Sequence, residues 1–301
     1  ESFAVWLPCV HAMMRTRGLI YLAIVGFVGA RRAGTKYRCD SEEGSGEVAE
    51  VCAPSKRRPS IALNATYRIR WLHVPKTGTS LANAIFRVGC PGLPAHAAMP
   101  RTQKNAVELY FEQCFKSVVS HERCYLRKPG TFGRAHVPIK EAWLPSTAAY
   151  VTVLREPRAR LASAYAFGRH LCDFCNASTS LSEFAASPLN RAVYANMILG
   201  RWGFDAPPYP TRAELAQALD RLRGFAFVGI LEAWTRTICL FKAKFAGGGR
   251  VLRSELANVR PGVYERDPRS GGQASEADRV DEAIYAEALR LFRDDYRAHF
   301  G

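Results

Sequence analysis

Trp71-Leu-His-Val-Pro-Lys-Thr-Gly-Thr-Ser-Leu-Ala-Asn-Ala-Ile-Phe86 is the stretch on which the reading of the fold turns. From Tyr67 to Val74 the chain is β-branched, aromatic and roughly alternating, which predicts a strand. Pro75 to Gly78 then supply a breaker, a cation and a residue free to take positive φ. From Thr79 onward Leu81, Ala84, Ile85 and Val88 recur at helical spacing, with Thr79 and Ser80 where N-caps belong. A strand, a tight glycine-containing turn and a helix start together make an anion site, because backbone N–H groups and the positive end of the helix dipole converge there. Lys76 adds a full charge, and the hydroxyls of Thr77, Thr79 and Ser80 add donors.

A second junction of the same kind follows. Ala148-Ala-Tyr-Val-Thr-Val-Leu154 predicts a buried strand, and it runs straight into Arg155-Glu-Pro-Arg-Ala-Arg-Leu-Ala-Ser-Ala-Tyr165. Pro157 suits a first helical turn, and Leu161, Ala164 and Tyr165 are the expected inner face. Arg155 then stands at the strand's C-terminal edge and Ser163 two turns into the helix. A guanidinium fork and a hydroxyl are suited to a phosphate dianion. A nucleoside-triphosphate loop is excluded: the lysine precedes the glycine of the first loop, and the chain contains no Gly-Lys dipeptide. That argues against a P-loop kinase.

Pro75-Lys-Thr-Gly-Thr-Ser80 resembles the 5′-phosphosulfate loop of sulfotransferases that use 3′-phosphoadenosine 5′-phosphosulfate (PAPS). The pattern Arg-x-Pro-x-x-Arg-x-x-Ser-x-Tyr from Arg155 resembles their 3′-phosphate loop. Phe132-Gly-Arg-Ala-His-Val137 and Tyr165-Ala-Phe-Gly-Arg169 resemble the Golgi carbohydrate sulfotransferases, most nearly the uronosyl 2-O-sulfotransferase branch acting on heparan or dermatan chains. Asn196-Met-Ile-Leu-Gly200 and Phe227-Val-Gly-Ile-Leu-Glu232 are similar to further blocks of that family. The likeness covers residues 67–300, specific in the two loops and loose between them. It departs over 90–130, where acceptor contacts would lie.

The resemblance implies PAPS as sulfuryl donor, held by Lys76, Thr77, Gly78, Thr79, Ser80, Arg155 and Ser163. It implies His136 as the base that takes the acceptor's proton and Lys76 as the group on the bridging oxygen, with no metal required. His73 is the competing base, and His121 and His170 are weaker ones. Glu232 is a candidate to touch the acceptor or to support a residue that does. The acceptor implied is an acidic glycan or proteoglycan chain. A protein-tyrosine sulfotransferase and a non-catalytic, secreted, basic glycan-binding domain are the alternatives.

Composition agrees with an acidic partner. The 301 residues are 48% hydrophobic, enough for a sizeable core, and carry a net charge of +15. No zinc-finger, RNA-recognition or helix-turn-helix signature accompanies that charge, so nucleic acid is not the expected partner. Arg68, Arg70, Arg134, Lys140 and Arg169 are candidates to line a groove for the glycan. Of nine cysteines, Cys172 and Cys175 have redox or zinc-knuckle spacing, but no second pair completes a zinc site. Structural disulfides are expected, with Cys114 and Cys124 a plausible pair.

Arg15 and Arg17 precede an uncharged run, Gly18 to Ala30, which suits a signal-peptide core or a short signal anchor. The expectation is a single-pass type II Golgi membrane protein with a luminal catalytic domain, or a secreted one if the segment is cleaved. Residues 1–12, ahead of Met13-Met14, read as an extension or a fragment boundary. Residues 31–60 read as a flexible stem, and 61–301 as the luminal domain. Sequons at Asn64 and Asn176 agree with that placement.

In the C-terminal third, Thr211 to Glu214 forms a capping box opening a helix that ends near Gly224. Phe225 to Ile230 predicts a buried strand, followed by a helix carrying Leu231, Trp234, Ile238, Phe241 and Phe245. Gly247 to Gly249 is expected to be a turn or loop, Val251 to Pro268 irregular, and Ser275 to Phe300 a long amphipathic packing helix. Alternating strands and helices predict an α/β fold with a central parallel sheet and helices on both faces, and ligands at the strands' C-terminal edge. With the resemblance added, the expected architecture is a P-loop-like three-layer sandwich.

Overall fold

The computed structural model describes residues 47–55, 58–98, 110–111, 114–121, 124–126, 136–139, 143, 145–167, 175, 178–201, 209–258 and 276–301. The fold is mixed α/β. Strands β1 (Val48–Cys52) and β5 (Gly249–Leu252) form a two-stranded antiparallel ribbon. Strands β2 (Arg68–Trp71), β3 (Ala148–Leu154) and β4 (Phe227–Ile230) form a three-stranded parallel sheet in the order β2-β3-β4. Trp71 lies beside Val151, and Leu154 beside Ile230. All three strands therefore point the same way, and the loops that follow them meet at one edge.

Burial explains why the central strands read as continuous apolar runs. Every residue of β3 after Ala148 is buried, as is all of β4, the pattern of strands covered on both sides. Thr152 is the polar member, and its hydroxyl donates to the Leu72 carbonyl at 3.0 Å.

The helices are α1 (Leu81–Gly89), α2 (Lys116–Val119), α3 (Pro157–Ala166), α4 (Leu181–Ala186), α5 (Val193–Leu199), α6 (Arg212–Arg223), α7 (Trp234–Ala246), α8 (Arg253–Leu256) and α9 (Glu276–Phe300). The Thr211–Glu214 capping box opens α6 as expected. Pro157 opens α3, capped by the Glu156 carboxylate, which accepts from the amides of Arg158 and Ala159 at 3.0 and 2.6 Å. Its buried stripe differs from the expected one. Arg160, Ser163 and Ala164 face inward, while Leu161 and Tyr165 are only half-buried. An apolar-periodicity argument misses an inner face that carries a buried arginine and a buried serine.

Three further expectations are corrected. Cys124 pairs with Cys90 rather than Cys114, because Tyr125 donates to the Gly89 carbonyl and sets this segment against the end of α1. Cys114 is itself disulfide-bonded, as is Cys175; Cys172 lies outside the described residues. A second disulfide, Cys52–Cys239, ties β1 to α7. Strand β1 thus belongs to the fold although it lies within the stretch read as a flexible stem. Finally, Gly249–Leu252 and Arg253–Leu256 are strand and helix where irregular chain was expected.

Among the described residues no helix is long and apolar enough to cross a membrane. The apolar segment 18–30 lies outside them, as does Asn176. Asn64 is exposed, its side-chain oxygen accepting from the amides of Thr66 and Tyr67.

Gly229 is where the sheet admits α7. A Cβ there would sit 2.5 Å from Thr237 Cγ2 and 2.9 Å from Val153 Cγ2. Thr237 bonds both the amide and the carbonyl of Ile230, at 2.9 and 2.7 Å, so it has no slack to retreat. Gly229→Ala is expected to destabilise the fold by about 1–3 kcal/mol through overpacking, read as a lowered midpoint in urea unfolding.

Candidate anion-binding site

The loop after β2 is held tightly before any ligand is considered. The Thr77 hydroxyl, 2% exposed, donates to the Val74 carbonyl at 2.9 Å. Lys76 adopts φ of 65° and Gly78 of 117°. Positive φ at a lysine is sparsely populated and strained, which is characteristic of functional turns. A Cβ on Gly78 would meet Leu231 at 3.0 Å and Trp234 at 3.3 Å, so glycine lets the turn pass close to the next wall of the site. The first amides of α1 bond back by three residues: Leu81 to Gly78, Ala82 to Thr79 and Asn83 to Ser80. Ser80 occupies the cap position, but its hydroxyl makes no bond to a helix amide.

This loop, the start of α3 and the segment around α8 enclose a cavity of about 330 Å³, within the size range of small-molecule sites. Lys76, Gly78, Thr79, Ser80, His136, Arg155 and Ser163 all line it. Of the expected site residues, Thr77 is the exception, since its hydroxyl is turned back into the loop. Among the described residues lining the cavity none is a carboxylate, while Lys76 and Arg155 are cations. A helix N-terminus and two cationic side chains on one cavity make a site suited to an anion.

The Ser163 hydroxyl is buried and without a hydrogen-bond partner, and its residue is 2% exposed. An orphaned buried hydroxyl costs about 1–3 kcal/mol. In the wall of a cationic cavity, a ligand oxygen would relieve that cost.

The histidines separate into two kinds. His136 Nδ1 lies 3.0 Å from the His73 carbonyl, and a carbonyl only accepts, so Nδ1 carries the proton and Nε2 of the neutral ring is the basic nitrogen. His136 lines the cavity. His73 does not: it is 7% exposed, stacked on Trp71 at 4.2 Å, with Nε2 3.3 Å from the Thr79 hydroxyl. The geometry gives His73 a part in shaping the loop and gives His136 access to a ligand. His121 is exposed outside the cavity, and His170 lies outside the described residues.

The remaining wall is apolar: Phe167, Leu231, Trp234, Leu256 and Ala257. The Lys76 ammonium sits 3.7 Å from the centroid of the Phe167 ring, a cation–π contact. Trp234 Nε1 donates to the Glu255 carbonyl at 3.2 Å. None of this wall was predicted from the sequence. Trp234 had a legible signal, since it opens the helix after β4 and therefore stands at the ligand edge of the sheet. Residues 256–258 had none.

Arg68 and Arg70 do not line the cavity. Arg68 bonds the carbonyls of Ala65 and Leu126, and Arg70 bonds the Tyr150 hydroxyl. Arg134, Lys140 and Arg169 lie outside the described residues. Glu232 is not a lining residue either; it accepts from the Glu156 amide and the Tyr285 hydroxyl. No protein-family model matches the chain, and no curated protein matches it.

Proposed function

We propose that this protein transfers a sulfuryl group from PAPS to a hydroxyl of an acidic glycan. The observation that carries the reading is a single cavity lined by both anion-binding junctions and His136, cationic and free of carboxylates among the described residues. PAPS carries a 5′-phosphosulfate and a 3′-phosphate on one nucleoside. Two separate anion grips on one cavity suit such a donor better than a single phosphate. The fold proposed with this reading is a P-loop-like three-layer sandwich with helices on both faces of the parallel sheet.

The loop amides of Gly78, Thr79 and Ser80 and the Lys76 ammonium would hold the 5′ end. Arg155 and the orphaned Ser163 hydroxyl would hold the 3′-phosphate. His136 Nε2 takes the proton from the acceptor hydroxyl as the new oxygen–sulfur bond forms. Lys76 hydrogen-bonds the bridging oxygen as its bond to sulfur breaks and adenosine 3′,5′-bisphosphate leaves. Such transfers depend mostly on positioning and charge stabilisation.

The net charge of +15 supports an acidic acceptor, and the disulfides support an oxidising compartment. Together with the apolar segment and the sequons, they favour a luminal domain of a type II Golgi membrane protein.

The test is calorimetric titration of the full chain with adenosine 3′,5′-bisphosphate and with adenosine 5′-monophosphate. The bisphosphate should bind roughly 10- to 100-fold tighter, the worth of one charge-assisted grip. Arg155→Ala should remove the difference. Equal binding of the two nucleotides, or none, by a folded protein sinks the reading.

A further inference from the structure

One peptide group beside the cavity is gripped at both ends. The carbonyl of Arg155 accepts from the Tyr194 hydroxyl at 2.5 Å, and the amide of Glu156 donates to Glu232 Oε1 at 2.9 Å. These are the C=O and N–H of the same peptide unit, the one that follows Arg155. Both grips lead back to α9. Tyr285 donates to the second oxygen of Glu232 at 2.9 Å. Asp281, buried at 3% exposure, accepts from the Tyr194 amide at 3.0 Å.

Asp281 also accepts from the backbone of Val193 and Ala195. It thereby does for α5 what that helix's own cap residue does not, since Ala192 stands there at φ of 43° with no side-chain cap. Asp281 and Tyr285 are one helical turn apart, so they share one face of α9. The helix read from sequence as packing alone therefore presents two polar residues that end, each through one intermediary, on the same peptide.

We propose that Tyr194 and Glu232 are positioning residues that fix the direction in which Arg155 enters the cavity, with Asp281 and Tyr285 of α9 as their brace. Strand β3 ends at Leu154, paired with Ile230, and fixes the chain on one side of Arg155. The gripped peptide fixes ψ of Arg155 on the other. Its Cα–Cβ direction is then set by the fold rather than by the ligand. A flexible arginine costs rotamer entropy each time it closes on an anion, and a preset stem lowers that cost. The inference rests on the donor reading above, in which Arg155 meets the 3′-phosphate.

The experiment measures Kd for adenosine 3′,5′-bisphosphate and adenosine 5′-monophosphate on the full chain and its variants. Tyr194→Phe removes one hydroxyl and keeps the buried ring; Glu232→Ala removes an exposed carboxylate. Each is expected to cut the bisphosphate-to-monophosphate preference by fivefold or more while monophosphate affinity stays within twofold. Glu232→Gln, which still offers an oxygen to the Glu156 amide, is expected to restore most of the preference. A general loss of stability would weaken both nucleotides alike, so the ratio separates positioning from folding. If the wild type shows the preference and both Tyr194→Phe and Glu232→Ala keep it, the positioning role is overturned and the donor reading stands. If the wild type shows no preference, the donor reading falls and this inference with it.

Discussion

Replacing His136 by glutamine is expected to lower the turnover of sulfuryl transfer by roughly 10²- to 10⁴-fold, the usual worth of a general base. Donor affinity should hardly change, because the groups proposed to hold the nucleotide are elsewhere in the cavity. Glutamine is close to imidazole in size but has no basic nitrogen, so the change removes the proton acceptor at that position. The bond to the His73 carbonyl sets the tautomer of His136: with Nδ1–H committed to that carbonyl at 3.0 Å, Nε2 holds the lone pair. The wild-type rate should fall at acid pH, where a protonated imidazole cannot accept, and glutamine should erase that limb. His73→Ala supplies the contrast. Its ring touches Thr79 of the anion loop and stacks on Trp71, so its loss should raise the Km for the donor more than it lowers turnover. Steady-state kinetics with labelled PAPS and a uronate glycan distinguish the two. A His136→Gln enzyme with full turnover would remove it as the base.

The parts of this molecule that could be read in advance are those where local chemistry and global fold agree. Both strand-to-helix junctions announce themselves, since a β-branched run meets a breaker and then a helical repeat. The Thr211 capping box works for the same reason: its partners lie within one turn. Legibility stops where the cause is distant in sequence. The ribbon of β1 and β5 is invisible because Val48 to Val51 are exposed, with Glu50 among them, and the buried Cys52 is 187 positions from its partner Cys239. Spacing cannot tell Cys90 from Cys114 as the mate of Cys124, for connectivity is decided by which backbones meet. The polar inner face of α3 defeats an apolar pattern, because Arg160 and Ser163 are buried for reasons that lie on other elements. Phe167 and Trp234 carry no motif. Their role follows from where the sheet ends.

A buried ion pair behind the cavity carries the largest expected effect on stability. Lys242 Nζ lies 2.8 Å from Glu255 Oε2, with side-chain exposures of 8% and 0%. The same ammonium donates to the Arg250 carbonyl, and the same carboxylate oxygen accepts from the Leu252 amide. Lys242→Met leaves the Glu255 carboxylate in the interior without its ion-pair partner, with the Arg87 guanidinium a charge that still acts on it, which is expected to cost about 3–5 kcal/mol. The double variant Lys242→Met with Glu255→Gln should recover most of that loss, because the unpaired charge and not the missing attraction dominates the cost. The damage should also reach the ligand. Glu255 offers its carbonyl to Trp234, Ser254 offers its own to Asn83 at 2.9 Å, and the chain then runs directly into Leu256, Ala257 and Asn258 of the cavity wall. A weakened Lys242–Glu255 pair should therefore loosen that wall at denaturant concentrations where the parallel sheet still holds. Trp234 fluorescence and nucleotide binding would change before far-ultraviolet circular dichroism in a urea titration of Lys242→Met. Coincident transitions would mean that the wall and the sheet melt as one unit, and that the ion pair supports the whole fold rather than the site.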